Sequence, residues 1–260
     1  MQLRTVILSD ASRFVSDNII DIGSCSAKAS DIAESFDDGQ MTDGAFIDAF
    51  IKCMLSDEEM YSPQSVGDRI FLPMSIVYAL SCDYIKHYGK PPSFSAKNLV
   101  EMLREVIPSF DLAATKFTQY CVNQNHSRVD VLYLNNYLAL QSKFRDHHKD
   151  LGRHIMKRLS DGLHEVSKRS IDRFRHYRNV QVPCPAMTNP NDYAFFVMRY
   201  MELYDGDTSP LLNTIQLEKS KKLRSQMLYY LIFHRCNTVR LLEDIEAFRP
   251  VAEETAPDQA

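Results

Sequence analysis

The stretch NPNDYAFFVMRYMELYDG, residues 189–206, decides the fold that we predict for this chain. It begins with the polar run NPND, whose residues favour turns, and continues directly into an apolar run typical of a buried helix. The first residue of this predicted helix is Tyr193. Backbone N–H groups at a helix N-terminus lack partners within the helix, so enzymes use this position for a nucleophile or for binding an anion. A tyrosine at this position therefore needs an explanation.

Composition and charge indicate an ordinary globular protein. The 260 residues are enough for one large domain or two small ones, and 45% of them are apolar. A formal net charge of −4 argues against a protein that coats nucleic acid or an anionic membrane. The first sixty residues are acidic, and the region from Lys143 to Arg178 is basic. We interpret the basic region as a solvated helix face, with an acidic protein partner as the alternative.

Cysteine usage and the absence of long apolar runs indicate an intracellular location. The six cysteines form no C-x-x-C pair, which is typical of reduced, buried thiols and not of a disulfide framework. The first 14 residues contain an apolar run of only three residues, too short for a signal peptide. The longest apolar run elsewhere, Met227 to Phe233, is too short to span a bilayer. We therefore expect a nuclear or cytoplasmic protein.

Hydrophobic periodicity predicts one α+β domain over residues 43–248. Residues 1–42 are rich in Ser, Asp and Ala with weak periodicity, so we expect a loosely ordered extension, and the tail 249–260 is disordered by composition. The predicted elements are a helix from Asp43, a buried segment at 70–80, a helix after Ser95, a hairpin of strands 118–122 and 128–134, a long helix from Leu151 to Val166, a short strand at Val180–Val182 and a last helix over 223–231. Because helices precede and follow a small sheet, the class is α+β.

A longer segment around the opening stretch, VQVPCPAMTNPNDYAFFVMRYMELYDGD, resembles the nucleophile region of the proteases that process and remove SUMO and other ubiquitin-like modifiers. In that family a valine-rich strand leads to a glutamine, then to a turn ending Asp-Cys-Gly, then to a helix beginning Phe-Phe-Val. The hairpin VNQNHSRVDVLYL, the helix HHKDLGRHIMKRLSDGLHEV and the closing KLRSQMLYYLIFH match as well. AFIDAFIKCMLSDEE and AKNLVEMLREVIPSFDL are similar to the branch of the family abundant in plants. The resemblance covers residues 43–236 and implies a papain-like cysteine protease fold of the ubiquitin-like-protease type, with a small mixed sheet packed by helices.

The resemblance also implies that the catalytic residues have been lost. The family nucleophile falls on Tyr193, whose phenol, with a pKa near 10, cannot replace a thiolate. The glutamine that helps bind the oxyanion falls on Met187, which has no side-chain N–H. The family His-Trp pair falls on Lys116 and Phe117, unless the segment that carried it is deleted after Phe117. The aspartate that orients the histidine falls on Tyr133. Because a triad acts as a unit, we predict an inactive pseudoprotease.

Other residues offer weak replacements for this chemistry. Cys184 is flanked by two prolines and lies before the turn, not at the helix start that would lower its pKa, so we interpret it as a buried or half-buried thiol. His147 and His148 are adjacent and point apart on a helix, and no cysteine pair accompanies them. We therefore expect neither a metal nor a cofactor.

Several interpretations of function remain. The first is binding of a ubiquitin-like modifier such as SUMO, or of a protein in the SUMO or ubiquitin pathway, with Phe117 and Asp192 as candidate binding residues. The second is weak cysteine-type isopeptidase activity. Further alternatives are a SUMO-ligase-like or other regulatory interaction protein, and a folded relic of a mobile element.

Two apolar segments beside acidic residues could add a strand to the sheet edge of a modifier. They are TVILSD, residues 5–10, and VRLLEDIE, residues 239–246. The ordinary interpretation of the first is an edge strand or a disordered stub. The ordinary interpretation of the second is the end of an amphipathic helix.

Overall fold

The computed structural model describes residues 2–9, 18–66, 69–72, 76, 99, 103, 117–118, 122–123, 126–132, 141–182, 189–204, 206 and 220–250. The helices are α1 (Gln2–Ser9), α2 (Ala29–Phe36), α3 (Gly44–Tyr61), α4 (Gln141–Val166), α5 (Tyr193–Leu203), α6 (Ser220–Phe233) and α7 (Glu243–Glu246). Short 3₁₀ turns occupy Pro63–Ser65 and Pro190–Asp192. None of the helices within these ranges combines the length and hydropathy needed to cross a bilayer.

The strands form small sheets of mixed direction. They are β1 (Asn18–Ile22), β2 (Cys25–Lys28), β3 (Arg69–Ile70), β4 (Phe117–Thr118), β5 (Val122–Asn123), β6 (Arg128–Leu132) and β7 (Arg178–Val182). β1 and β2 form an antiparallel hairpin, and β3 pairs with β4 in parallel. The third sheet has the order β5-β6-β7, with β5 antiparallel and β7 parallel to β6. The predicted α+β class with a small mixed sheet is confirmed.

Local sequence signals explain several element boundaries. Asp43 precedes α3, and its carboxylate accepts the Ala45 N–H at 2.8 Å, so it caps the helix. The predicted hairpin is confirmed as β5 and β6, with Ser127 in the turn at φ 47°. Its first strand was predicted over 118–122, but Thr118 belongs to β4, which pairs with β3. The long helix is also confirmed, but it begins at Gln141, ten residues before the first apolar residue used to predict it. Its apolar face is buried, whereas basic residues such as Arg153 and Lys157 are exposed.

The N-terminal region differs from the expected loose extension. Wherever residues 1–42 are described, they belong to α1, the β1–β2 hairpin, α2 and the connection to α3, and they contribute to the main core. Ile7, Ile20, Ile32 and Phe36 are completely buried. Each of these elements has only four to eight residues. Periodicity over so few residues is a weak signal, so the sequence did not reveal that they pack on the domain.

The two proposed strand-addition segments also differ from expectation. TVILSD lies mostly in α1, where Ile7 is buried, so it is neither an edge strand nor a disordered stub. In VRLLEDIE only Glu243–Glu246 is helical, and residues 239–242 lie outside helix and strand. Ile245 is buried, whereas Leu242 is 39% exposed. Just before this segment, the Thr238 N–H donates to the Asp21 carbonyl of β1 at 3.1 Å.

Among the described residues, two hydrophobic clusters form the core. The first lies among α1, α2, α3, α5, α6 and the β1–β2 hairpin, and β7 contributes Val182 to it. The second joins one face of α4 to Val122 of β5 and Val129 of β6, together with Leu99 and Leu103 from the otherwise undescribed predicted helix after Ser95. The three-stranded sheet thus contributes to both clusters. Its strand β7 leads toward the turn before α5.

Candidate functional site at the start of helix α5

The turn before α5 is built by its own polar residues. The Asn189 side-chain oxygen accepts the Asn191 N–H at 3.1 Å, and the Asn189 carbonyl accepts the Asp192 N–H at 3.1 Å. These bonds wind the chain into the 3₁₀ turn Pro190–Asp192, and α5 begins at Tyr193. The predicted polar turn and the predicted helix start at Tyr193 are both confirmed.

A buried ion pair fixes this helix start to the body of the protein. The Arg224 guanidinium of α6 donates to Asp192 Oδ1 from Nε at 2.8 Å and from Nη2 at 2.6 Å. It also lies over the Phe195 ring, 4.4 Å from the centroid. Its Nη1 also donates to the main-chain carbonyls of Ser35 and Asp37, and its Nη2 to those of Gln40 and Asn191. One side chain therefore joins α6, the α2–α3 connection and the start of α5.

Asp192, predicted as a binding residue, is 3% exposed. Its carboxylate faces Arg224 inside the protein, where a partner molecule cannot reach it without breaking the ion pair. The resemblance placed this aspartate correctly beside the helix start, but we now assign it a structural role. A carboxylate needs such a partner when it is buried, because removing an unpaired charge from water costs on the order of several kcal/mol.

Tyr193 faces outward at the start of α5. It is 54% exposed, whereas Phe195 and Phe196 are buried at 0% and 1%. Desolvation by surrounding protein atoms raises the pKa of Tyr193 above that of a free phenol, even though more than half of the residue surface is open. Whether the hydroxyl is exposed or desolvated, its pKa lies well above 7, so it is protonated at neutral pH. The helix start thus presents a neutral phenol.

The other predicted site residues are only partly described. Phe117 is the first residue of β4 and pairs with Arg69 of β3. Lys116, Tyr133 and Met187 lie outside the described residues, so their roles remain predictions. The same holds for Cys184 and for the choice between substitution and deletion of the His-Trp segment.

The sheet register shows where the chain approaches two of these positions. Leu132, the last residue of β6, is paired with Val182, the last residue of β7. Because the two strands are parallel, the chain leaves both at the same end of the sheet. In the sequence, Tyr133 is the residue after Leu132, and Met187 comes five residues after Val182.

Sequence reasoning missed a buried polar network at the other end of α5. Asp130 of β6 is 1% exposed and accepts the Tyr204 hydroxyl at 2.9 Å and the Asn123 amide at 3.1 Å. The Asn123 amide also donates to the Gly206 carbonyl at 2.9 Å. The network ties the β5–β6 hairpin to the C-terminal end of α5. The signal in the sequence was an aspartate between two valines of a predicted strand, Val129-Asp130-Val131.

Thiol and imidazole groups do come together among the described residues, but not at Tyr193. Cys53, His234 and Cys236 have their ligand atoms within 4.8 Å of one another. His234 follows α6, ten residues after Arg224, so about 15 Å of helix separates it from the start of α5. Cys53 is fully buried, and burial raises its pKa far above that of a free thiol. This group therefore lies apart from the helix start at Tyr193, and its Cys53 thiol is protonated and buried.

Comparison with known proteins supports the fold. The chain is similar to the C-terminal protease domain of Ulp1, solved in complex with Smt3, the yeast ortholog of SUMO, with a TM-score of 0.56, 11% identity, and coverage of 89% of this chain and 96% of that chain. It is similar to a second structure, the SUMO protease Ulp1 with its catalytic cysteine oxidized to a sulfenic acid, with a TM-score of 0.57, 11% identity, and coverage of 89% and 94%. The fold is that of the ubiquitin-like proteases.

No model of a known protein family matches the chain, and no curated protein matches it. At 11% identity the structural likeness establishes the fold alone. The predicted papain-like fold of the ubiquitin-like-protease type is thereby confirmed.

Proposed function

We propose that this chain is a catalytically inactive homologue of the SUMO proteases that binds a ubiquitin-like modifier, or a protein of the SUMO or ubiquitin pathway, without cleaving it. The proposal rests on a shared fold over 89% of the chain, with one of the similar structures solved in complex with Smt3.

The single observation that carries the proposal is the first residue of α5. The resemblance assigns the nucleophile to this position, and the residue here is Tyr193. Its protonated phenol is a poor nucleophile toward an amide carbonyl, and the buried Ala194 that follows has no functional group. The helix start therefore keeps its shape without a reactive thiol.

The packing around the helix start supports retention of a binding surface. Arg224 uses its donors to hold the turn, α5 and the α2–α3 connection in one arrangement. These contacts do not depend on a catalytic residue. They therefore hold the surface around Tyr193, which is 54% exposed, in a defined position. A preformed surface reduces the ordering cost of binding.

The segment 239–242, which lies outside helix and strand, supports a second contact with a modifier. Leu242 has an extended backbone, with φ −68° and ψ 150°, and it is 39% exposed. The exposed acidic residues Glu243 and Asp244 follow it directly. An apolar extended segment beside carboxylates suits addition to the edge strand of a modifier with basic residues at that edge.

The proposal is tested by titrating labelled SUMO and ubiquitin with the purified chain and following NMR shifts or fluorescence anisotropy. In parallel, the chain is incubated with SUMO that carries an electrophile at its C-terminal tail. We expect saturable binding to one modifier and no covalent capture. Tyr193→Ala and Leu242→Asp test the two surfaces, and Val66→Asp, at a residue 44% exposed, is the matched control.

The outcomes separate the alternatives. No binding of SUMO or ubiquitin would reject the modifier-binding proposal and favour a different protein partner or a folded relic. Covalent capture of the reactive tail would reject inactivity and favour the isopeptidase alternative, with Cys184 as the first residue to replace by serine.

A further inference from the structure

A cluster of soft ligand groups lies at the C-terminal end of α6, remote from Tyr193. Cys53 comes from α3, and His234 and Cys236 follow the end of α6. Their ligand atoms all lie within 4.8 Å of one another. Three potential metal ligands from two helices therefore converge on one point.

The imidazole of His234 is held in one orientation. Its Nδ1 accepts the Cys236 N–H at 3.0 Å, so Nε2 carries the proton and donates to Asp57 Oδ1 at 3.1 Å. Asp57 also accepts the Tyr230 hydroxyl at 2.6 Å and lies 3.4 Å from the Arg235 guanidinium. With Nε2 bound to Asp57, Nδ1 is the ring atom on the side of the cysteines.

This arrangement has the parts of a metal site with an oriented histidine. A metal-bound histidine typically donates its second N–H to a carboxylate, which fixes the ring and makes the ligand more basic. Asp57 occupies that place here, one helical turn after Cys53 on α3. The His234 side chain is 6% exposed and Cys53 is fully buried, so these two ligands are shielded from water, whereas Cys236 is half-buried.

We propose that Cys53 Sγ, Cys236 Sγ and His234 Nδ1 bind a soft divalent cation of the zinc class, with Asp57 as the carboxylate partner of the histidine. Two thiolates and an imidazole select zinc over magnesium or calcium, which prefer oxygen ligands. Binding releases the two thiol protons and exchanges the Cys236 N–H bond of Nδ1 for the metal.

The geometry allows this with small movements. Zn–S bonds of about 2.3 Å and Zn–N bonds of about 2.0–2.1 Å place tetrahedral ligand atoms roughly 3.5–3.8 Å apart. The ligand atoms here lie within 4.8 Å of one another, so side-chain rotations that move them by about one ångström bring them to that spacing. A tetrahedral site would need a fourth ligand, which water could supply beside the half-buried Cys236. Asp57 and Tyr230 also line a cleft of about 430 Å³.

The test uses the reduced full chain and Co²⁺ as a spectroscopic substitute for zinc. We expect about one Co²⁺ per chain, charge-transfer absorption from thiolate ligands, and displacement of Co²⁺ by Zn²⁺. Cys236→Ser is the main variant because its half-buried position tolerates the change, and we expect at least tenfold weaker binding. Asp57→Asn should weaken binding by about 10–100-fold. Cys25→Ser, at a buried cysteine outside the cluster, should bind like the wild type.

Three results would overturn the proposal. They are no Co²⁺ uptake by the reduced chain, uptake without thiolate charge-transfer bands, and equal affinity in Cys236→Ser and the wild type. Circular dichroism spectra of each variant exclude unfolding as the reason for lost binding. Cys53→Ser, which alters the fully buried ligand, serves as a second variant if its spectrum is native.

Discussion

Arg224 and Asp192 form a buried ion pair that fixes the start of α5, with their side chains 1% and 5% exposed. The pair joins α6 to the turn that presents Tyr193, and the same guanidinium satisfies main-chain carbonyls from the α2–α3 connection. Position and reactivity at this helix start are therefore set by different residues. The arrangement of the turn depends on Arg224, whereas the side chain presented at the helix start is that of Tyr193.

Replacing Arg224 by methionine should destabilise the protein by about 3–5 kcal/mol, because it leaves the Asp192 carboxylate buried without a partner. Arg249→Met is the matched control: Arg249 pairs with Glu246, but its side chain is 46% exposed, and the expected loss is below about 1 kcal/mol. Urea unfolding measures both changes. Equal losses in the two variants would contradict the structural role of Arg224.

Tyr193 and Phe195 lie two residues apart on α5, but replacing each by alanine should change the free energy of unfolding by very different amounts. Tyr193 is 54% exposed and Phe195 is fully buried against Phe36 and Arg224. We expect Tyr193→Ala to cost less than about 1 kcal/mol and Phe195→Ala about 3–5 kcal/mol. Thermal and urea unfolding check the pair. A large loss for Tyr193→Ala would show that the tyrosine is a core residue and not a surface residue.

The buried network at the end of α5 predicts a loss for Tyr204→Phe. The Tyr204 hydroxyl donates to the Asp130 carboxylate at 2.9 Å, and hydrogen bonds to charged groups contribute about 1.5–3 kcal/mol. Tyr61→Phe, at a residue 73% exposed, should change the free energy of unfolding by less than about 0.5 kcal/mol. If the two variants are equally stable, the network does not hold the hairpin to α5.

Deletion of residues 1–28 should abolish cooperative folding. It removes α1 and the β1–β2 hairpin, including the fully buried Ile7 and Ile20, and so exposes the core faces of α2 and α3. Deletion of residues 251–260, whose composition predicts disorder, should leave the unfolding transition unchanged. Circular dichroism and thermal melts measure both. A native melt of the 1–28 deletion would restore the interpretation of an N-terminal extension.

Cys25 should make the protein less stable at high pH. Burial, followed by the charge of Asp43, raises the pKa of Cys25 to about 11, whereas an unfolded thiol titrates near about 8.5. The folded state therefore keeps a proton that the unfolded state releases, so the stabilisation is complete below pH about 8.5 and is lost as pH rises through about 11. The stability difference between the wild type and Cys25→Ala should shrink between pH 8 and pH 10.5. Ala27→Gly, at a buried neighbour without a titratable group, should show a pH-independent difference in urea unfolding.

Much of the architecture could be predicted from the sequence. The polar turn NPND and the apolar run after it predicted the start of α5, and alternation with a polar link predicted the β5–β6 hairpin. These signals are local, since they depend on residues a few positions apart. The fold type came from the resemblance of several such segments together, and the similar Ulp1 structures confirm it.

What the sequence determined by itself was therefore the identity of the residue at the helix start and the elements with strong local periodicity. Only the tertiary structure decided that the N-terminal elements join the core, and that Arg224 reaches the Ser35 carbonyl across 189 positions of the chain. The same holds for the meeting of Cys53 with His234 and Cys236. Contacts between residues so far apart in the chain leave no periodic pattern, because their spacing is set by how helices pack and not by the repeat of one helix or strand.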